Sequence, residues 1–60
     1  MYTIEIHTDN RWIGLNAMAK PVRQPGNEIK YFTKHVADDT CEYLQSRYLD
    51  NDYRVQKITV

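Results

Sequence analysis

The sequence predicts a two-layer α+β domain: a three- to four-stranded, mainly antiparallel sheet, in the order β-β-β-α-β, covered on one face by a single helix. Two patterns and the turn between strands carry that expectation. Residues 2–7 alternate apolar and polar side chains, Asp9-Asn10 is a two-residue turn signal, and from Lys34 the apolar period lengthens to about 3.6 residues.

The first strand places Tyr2, Ile4 and Ile6 on one side and Thr3, Glu5 and His7 on the other. Asp9 and Asn10 tolerate the left-handed backbone of a tight hairpin, so counting outward pairs His7 with Trp12, Ile6 with Ile13, Glu5 with Gly14, Ile4 with Leu15 and Tyr2 with Ala17. That register brings the apolar residues of both strands to one face. Ala17 to Lys20 reads equally as strand extension or helical turn. Gln24-Pro25-Gly26-Asn27 has the residues of a type II turn, and the β-prone Ile29 to Phe32 after it predicts a third strand.

Thr33 is a candidate N-cap, and a helix from Lys34 gathers Val36, Ala37, Thr40, Cys41, Leu44 and Tyr48 on one stripe. His35, Asp38, Asp39, Glu42, Gln45 and Ser46 fall opposite. The helix is expected to close near Leu49, with Asn51 as a left-handed stop. Tyr53 to Val60 is rich in β-branched and aromatic residues and reads as the last strand, with a bulge near Gln56-Lys57 to bring Val55 into phase with Ile58 and Val60. A meander followed by a crossover predicts that this strand lies parallel to the first, in the order 3-2-1-4. No repeat, linker or low-complexity run divides the chain, so residues 1–60 read as a single domain.

Composition narrows the function classes. Eight basic residues balance eight acidic ones in 60 residues, so the global positive field of a strong nucleic-acid binder is absent. The lone Cys41 has no intrachain partner, and neither a signal-peptide core nor a long apolar run is present. A cytoplasmic, reducing setting without membrane insertion is therefore the expectation, with Cys41 a buried structural thiol. No phosphate loop, metal-ligand spacing or nucleophile–base pattern occurs, so no enzyme activity, cofactor or metal is expected. His35, Asp38, Asp39 and Glu42 share one helix face, but a single face rarely completes a coordination shell.

The leading expectation is a small non-enzymatic protein-binding module, an accessory or inhibitor protein that occupies a partner surface. Its candidate contacts are Trp12, His7, Glu5 and Thr3 on the sheet face away from the helix, and Asp38, Asp39 and Glu42 on the helix. A second copy of the chain is one candidate partner, because so small a core leaves little net stability and the last strand, if it lies at the edge, offers Tyr53, Val55, Ile58 and Val60 with unpaired backbone, although Arg54 and Lys57 are residue types that guard such an edge against pairing. The rival expectation is a single-stranded RNA or DNA binder using Arg11, Lys20, Arg23, Lys30 and Tyr31 beside Trp12, whose types neutralise phosphates and stack bases. A DNA-mimicking acidic helix is discouraged by the balanced charge.

Overall fold

The N-terminal hairpin forms in the register that the sequence predicts. In the computed structural model, which describes residues 1–24 and 26–58, β1 (Tyr2–Thr8) and β2 (Arg11–Gly14) pair antiparallel with Glu5 opposite Gly14, Ile6 opposite Ile13 and His7 opposite Trp12. Asp9 and Asn10 hold φ of 54° and 62°. Two successive left-handed residues make the type I′ turn, whose twist matches that of the strands it joins.

Beyond Leu15 the chain leaves the predicted path. Leu15 still donates its N–H to the Ile4 carbonyl at 2.9 Å, but Tyr2 bridges to Tyr31 and not to Ala17. The cause is Asn16. Its Oδ1 accepts the N–H groups of Met18 at 2.9 Å and Lys20 at 3.1 Å, and its own N–H donates to the Lys20 carbonyl at 2.9 Å. With Ala19 at φ 59°, residues 16–20 form a tight reversal that is neither strand nor helical turn, and Pro21 returns beside Leu15. The expected third strand, Ile29 to Phe32, is likewise reduced to one bridge, in which Tyr2 and Tyr31 exchange backbone bonds of 2.8 and 2.7 Å. Gly26 has the positive φ, 94°, that a type II turn requires there, while its neighbour Pro25 lies outside the described residues.

That extra reversal overturns the predicted strand direction. Because the chain turns back once more before Tyr31 than a simple meander would, Tyr31 runs antiparallel to Tyr2, and the helix that follows must climb back along the sheet. The last strand, β3 (Tyr53–Lys57), therefore descends antiparallel to β1, and the sheet order is β2-β1-β3. Its register runs unbroken from Tyr53 opposite Ile6 to Lys57 opposite Tyr2, so the bulge expected at Gln56-Lys57 is absent. Tyr53 and Val55 reach the core side by plain alternation, and the strand stops at Lys57 before Ile58 needs to join them. Val60 lies outside the described residues.

Helix α1 (Lys34–Arg47) starts as predicted, with the Thr33 hydroxyl accepting the Val36 N–H at 3.3 Å. Its buried stripe is narrower than expected: Ala37 and Leu44 are buried and Cys41 half-buried, while Val36 and Tyr48 are exposed. Three strands are too few to cover the wider apolar arc. The helix also ends two residues early, at Arg47, and Asn51 does not take the left-handed conformation. Gln45, expected on the outer face, is half-buried instead; its amide donates to the Asn51 carbonyl and accepts the Tyr53 N–H at 3.0 Å, tying the helix end to the start of β3. Ile4, Ile6, Leu15 and Leu44 form the centre of the core, with Tyr31, Cys41, Tyr53 and Val55 packed around them. No helix among the described residues is long and apolar enough to cross a membrane.

Candidate protein-binding face

Strand alternation puts Thr3, Glu5 and His7 of β1, Trp12 and Gly14 of β2, and Arg54 and Gln56 of β3 on the sheet face away from α1. The sequence places Thr3 among the contacts on this face with nothing over it, which the structure corrects. Val22 donates its N–H to the Gly14 carbonyl at 2.8 Å and Ile29 donates to the Leu15 carbonyl at 2.9 Å, and the loop segment with Glu28 and Ile29 folds over one end of the face. Thr3 lies beneath it, only 5% exposed, its hydroxyl donating to the Ile29 carbonyl at 3.1 Å. Thr3 is thus a positioning residue for the loop and is withdrawn from the contact surface. Gly14 permits the close approach: a Cβ there would sit 3.1 Å from the Glu28 Cβ.

Between this loop and the hairpin a groove of about 260 Å³ stays open, lined by Glu5, Arg11, Trp12, Val22, Arg23 and Glu28 among others. Trp12 is half-buried at its lip. The His7 ring, its cross-strand neighbour, lies 5.1 Å away at a tilt of 49°, as the hairpin register suggests. A second contact was missed by sequence reasoning: the Arg54 guanidinium stacks 4.3 Å over the indole, while its Nε donates to Glu5 at 2.7 Å. From the sequence Arg54 reads as an edge guard. Only the antiparallel pairing of β3 with β1, which sets Arg54 directly opposite Glu5, reveals its inward role. Cation–π stacking and the ion pair together fix an indole that would otherwise sample several rotamers.

The charged residues proposed for nucleic acid do not converge. Arg11 and Arg23 reach the groove, but Arg23 is bound to Asp9 at 2.8 Å, and its guanidinium pulls the Asp9 carboxyl below the ordinary carboxylate range, mainly through that hydrogen bond. Lys20 ends the 16–20 reversal and Lys30 is exposed, whereas Tyr31 is half-buried against the helix-side core, where its ring is not free to stack on a base.

The acidic helix residues occupy the opposite side of the molecule from Trp12. Asp38 is bound by Lys34 at 2.8 Å, a contact that raises the Lys34 pKa, and Asp39 lies 3.3 Å from His35; Glu42 is exposed with no ion pair among the described residues. No cluster of three or more metal-ligating side chains occurs among the described residues. Cys41 is half-buried, and burial, with a smaller contribution from Asp38, pushes its thiol up from the ordinary value. A thiol so placed is a poor nucleophile near neutral pH. The structure thus brings Glu5, His7 and Trp12 together with Arg54, and keeps Asp38, Asp39 and Glu42 apart from them on the helix. No protein-family model matches this chain, and no curated protein or solved structure matches it either.

Proposed function

We propose that this chain is a non-enzymatic protein-binding module that acts by seating the Trp12 groove on the surface of a larger partner, as an accessory or inhibitor protein would. The observation that supports this reading is the indole fixed between His7 and Arg54 at the lip of an open groove. A large aromatic held in one rotamer before binding loses little further entropy on contact, and tryptophan and arginine are among the residue types enriched at the energetic centres of interfaces. The groove offers apolar wall from Trp12 and Val22, and Arg11, with no acceptor among the described residues, stands beside it. The matching partner feature is a protruding apolar side chain flanked by a carboxylate. The unbridged Cys41 supports a cytoplasmic setting for that encounter.

The test is affinity capture from the native host with the wild-type chain, followed by reconstitution with the purified candidate. Trp12→Ala and Arg11→Glu should each weaken the reconstituted complex at least about tenfold while the circular dichroism spectrum is retained. Equal affinity in both variants would sink the proposal. A titration with mixed oligonucleotides at low and physiological salt addresses the nucleic-acid alternative, which the dispersal of Arg23, Lys30 and Tyr31 disfavours; steeply salt-dependent binding would reinstate it.

A further inference from the structure

The outer edge of β3 is a second feature that the Trp12 groove leaves unexplained. His7 donates to the Asp52 carbonyl and Ile58 to the Met1 carbonyl, so by antiparallel alternation Arg54 and Gln56 also direct their backbone groups to β1. Tyr53, Val55 and Lys57 direct theirs outward. Among the described residues no strand pairs with that edge, and only the Tyr53 N–H is taken, by the Gln45 side chain. A groove of about 480 Å³ runs alongside, walled by Lys34, Asp38, Cys41, Glu42 and Gln45 of α1 and by Tyr53 and Val55. The edge is thinly protected: Arg54 is turned onto Trp12 and Glu5, which leaves Lys57 as the charged guard of β3.

We infer that this edge binds a second copy of the chain, β3 against β3, in a two-fold dimer with a continuous six-stranded sheet. The sequence of β3 complements itself under that operation. With the axis at Val55, the two Val55 residues exchange N–H and carbonyl bonds, and each Lys57 N–H reaches the partner's Tyr53 carbonyl, without disturbing Gln45. Residues directly opposite in an antiparallel pair point to the same face. The Lys57 side chain of each copy is therefore delivered to the Tyr53 end of the other's groove, where the exposed carboxylate of Glu42 waits. Charge complementarity thus favours this strand over an acidic or neutral one. Because α1 packs on β1 as well as β3, it does not cover the outer backbone of β3. Dimerisation also closes the exposed edge of a domain whose core is small.

Sedimentation equilibrium from micromolar to millimolar chain concentration tests the inference. A monomer–dimer equilibrium is expected. Lys57→Pro, which deletes an outward N–H at a position that an edge strand tolerates, should raise the dissociation constant roughly tenfold or more. Lys57→Glu and Glu42→Lys should each weaken the dimer, and the double variant should restore it; these exposed substitutions keep the test available if the proline variant does not fold. Trp12→Ala should leave the dimer intact, which separates this surface from the proposed partner site. A chain that stays monomeric at every concentration, or a dimer indifferent to Lys57→Pro and to both charge reversals, overturns the inference.

Discussion

Arg54→Met isolates the device that holds Trp12. Methionine keeps most of the aliphatic stem but removes the guanidinium that lies 4.3 Å over the indole and 2.7 Å from Glu5. The Arg54 side chain is 44% exposed and that of Glu5 18%, so solvent screening holds the ion pair to about 0.5–1 kcal/mol. A cation–π contact at such a half-exposed site adds about 1 kcal/mol. The variant should thus lose roughly 1.5–2 kcal/mol, or on the order of 6–16 °C in Tm for a chain of this size. Glu5→Gln should lose only the ion-pair share, and the double variant should cost little more than Arg54→Met alone. Thermal unfolding gives the energies. The single tryptophan makes the emission spectrum site-specific, and Arg54→Met should shift it to the red as water reaches the freed ring. If Arg54→Met costs no more than Glu5→Gln and the emission maximum stays fixed, the stacking contributes nothing and the argument for a preorganised indole fails.

Leu44→Ala removes the helix's main buried side chain and should cost about 2–5 kcal/mol, enough against a net stability of about 3–5 kcal/mol to leave much of the chain unfolded by circular dichroism at 25 °C. Asn10→Gly relieves a left-handed residue in a type I′ turn whose preferred second position is glycine, and should raise stability by roughly 0.5–1 kcal/mol in urea titration. Asn16→Ala deletes both side-chain bonds of the 16–20 reversal and should lose about 1–3 kcal/mol, whereas Asn16→Asp, which keeps the acceptor, should lose less. The Asp9 carboxyl is depressed by Arg23, so its small contribution to stability is present above the unfolded-state pKa and fades as pH falls through the folded value; carboxyl NMR titration of Arg23→Gln should show the Asp9 pKa rising toward that of a free side chain.

The legible parts of this fold were those that local chemistry decides alone. Alternation in residues 2–7 with two αL-tolerant residues at 9 and 10 leaves one hairpin register that puts Ile4, Ile6, Ile13 and Leu15 on the buried face, and that register is legible in the sequence as far as Leu15. Thr33 before an amphipathic run placed the helix start. The misread parts depend on partners distant in sequence. Ile29 to Phe32 has strand-forming residues but only Tyr31 finds a strand to bridge, and the helix stripe looked wide because the sequence does not say how much sheet is available to cover Val36 and Tyr48. Thr3 looked exposed because its cover comes from Ile29, 26 residues away. At the site, His7 against Trp12 follows from the hairpin, while Arg54 required the direction of β3.

That direction traces back to one short polar side chain. Asn16 diverts two backbone N–H groups to its own amide oxygen, which stops β2 from extending to Ala17 and turns the chain around before Pro21. The displaced place beside Tyr2 is then filled by Tyr31, the helix rises, and β3 comes down antiparallel to β1 with Arg54 opposite Glu5. From that position the guanidinium reaches the indole across the central strand. The chain after the same reversal brings Glu28 and Ile29 over Gly14 and Thr3, and Val22, Arg23 and Glu28 form the second wall of the groove. The reversal that Asn16 ties together thus precedes in the chain both the Arg54 clamp on the indole and the open edge of β3.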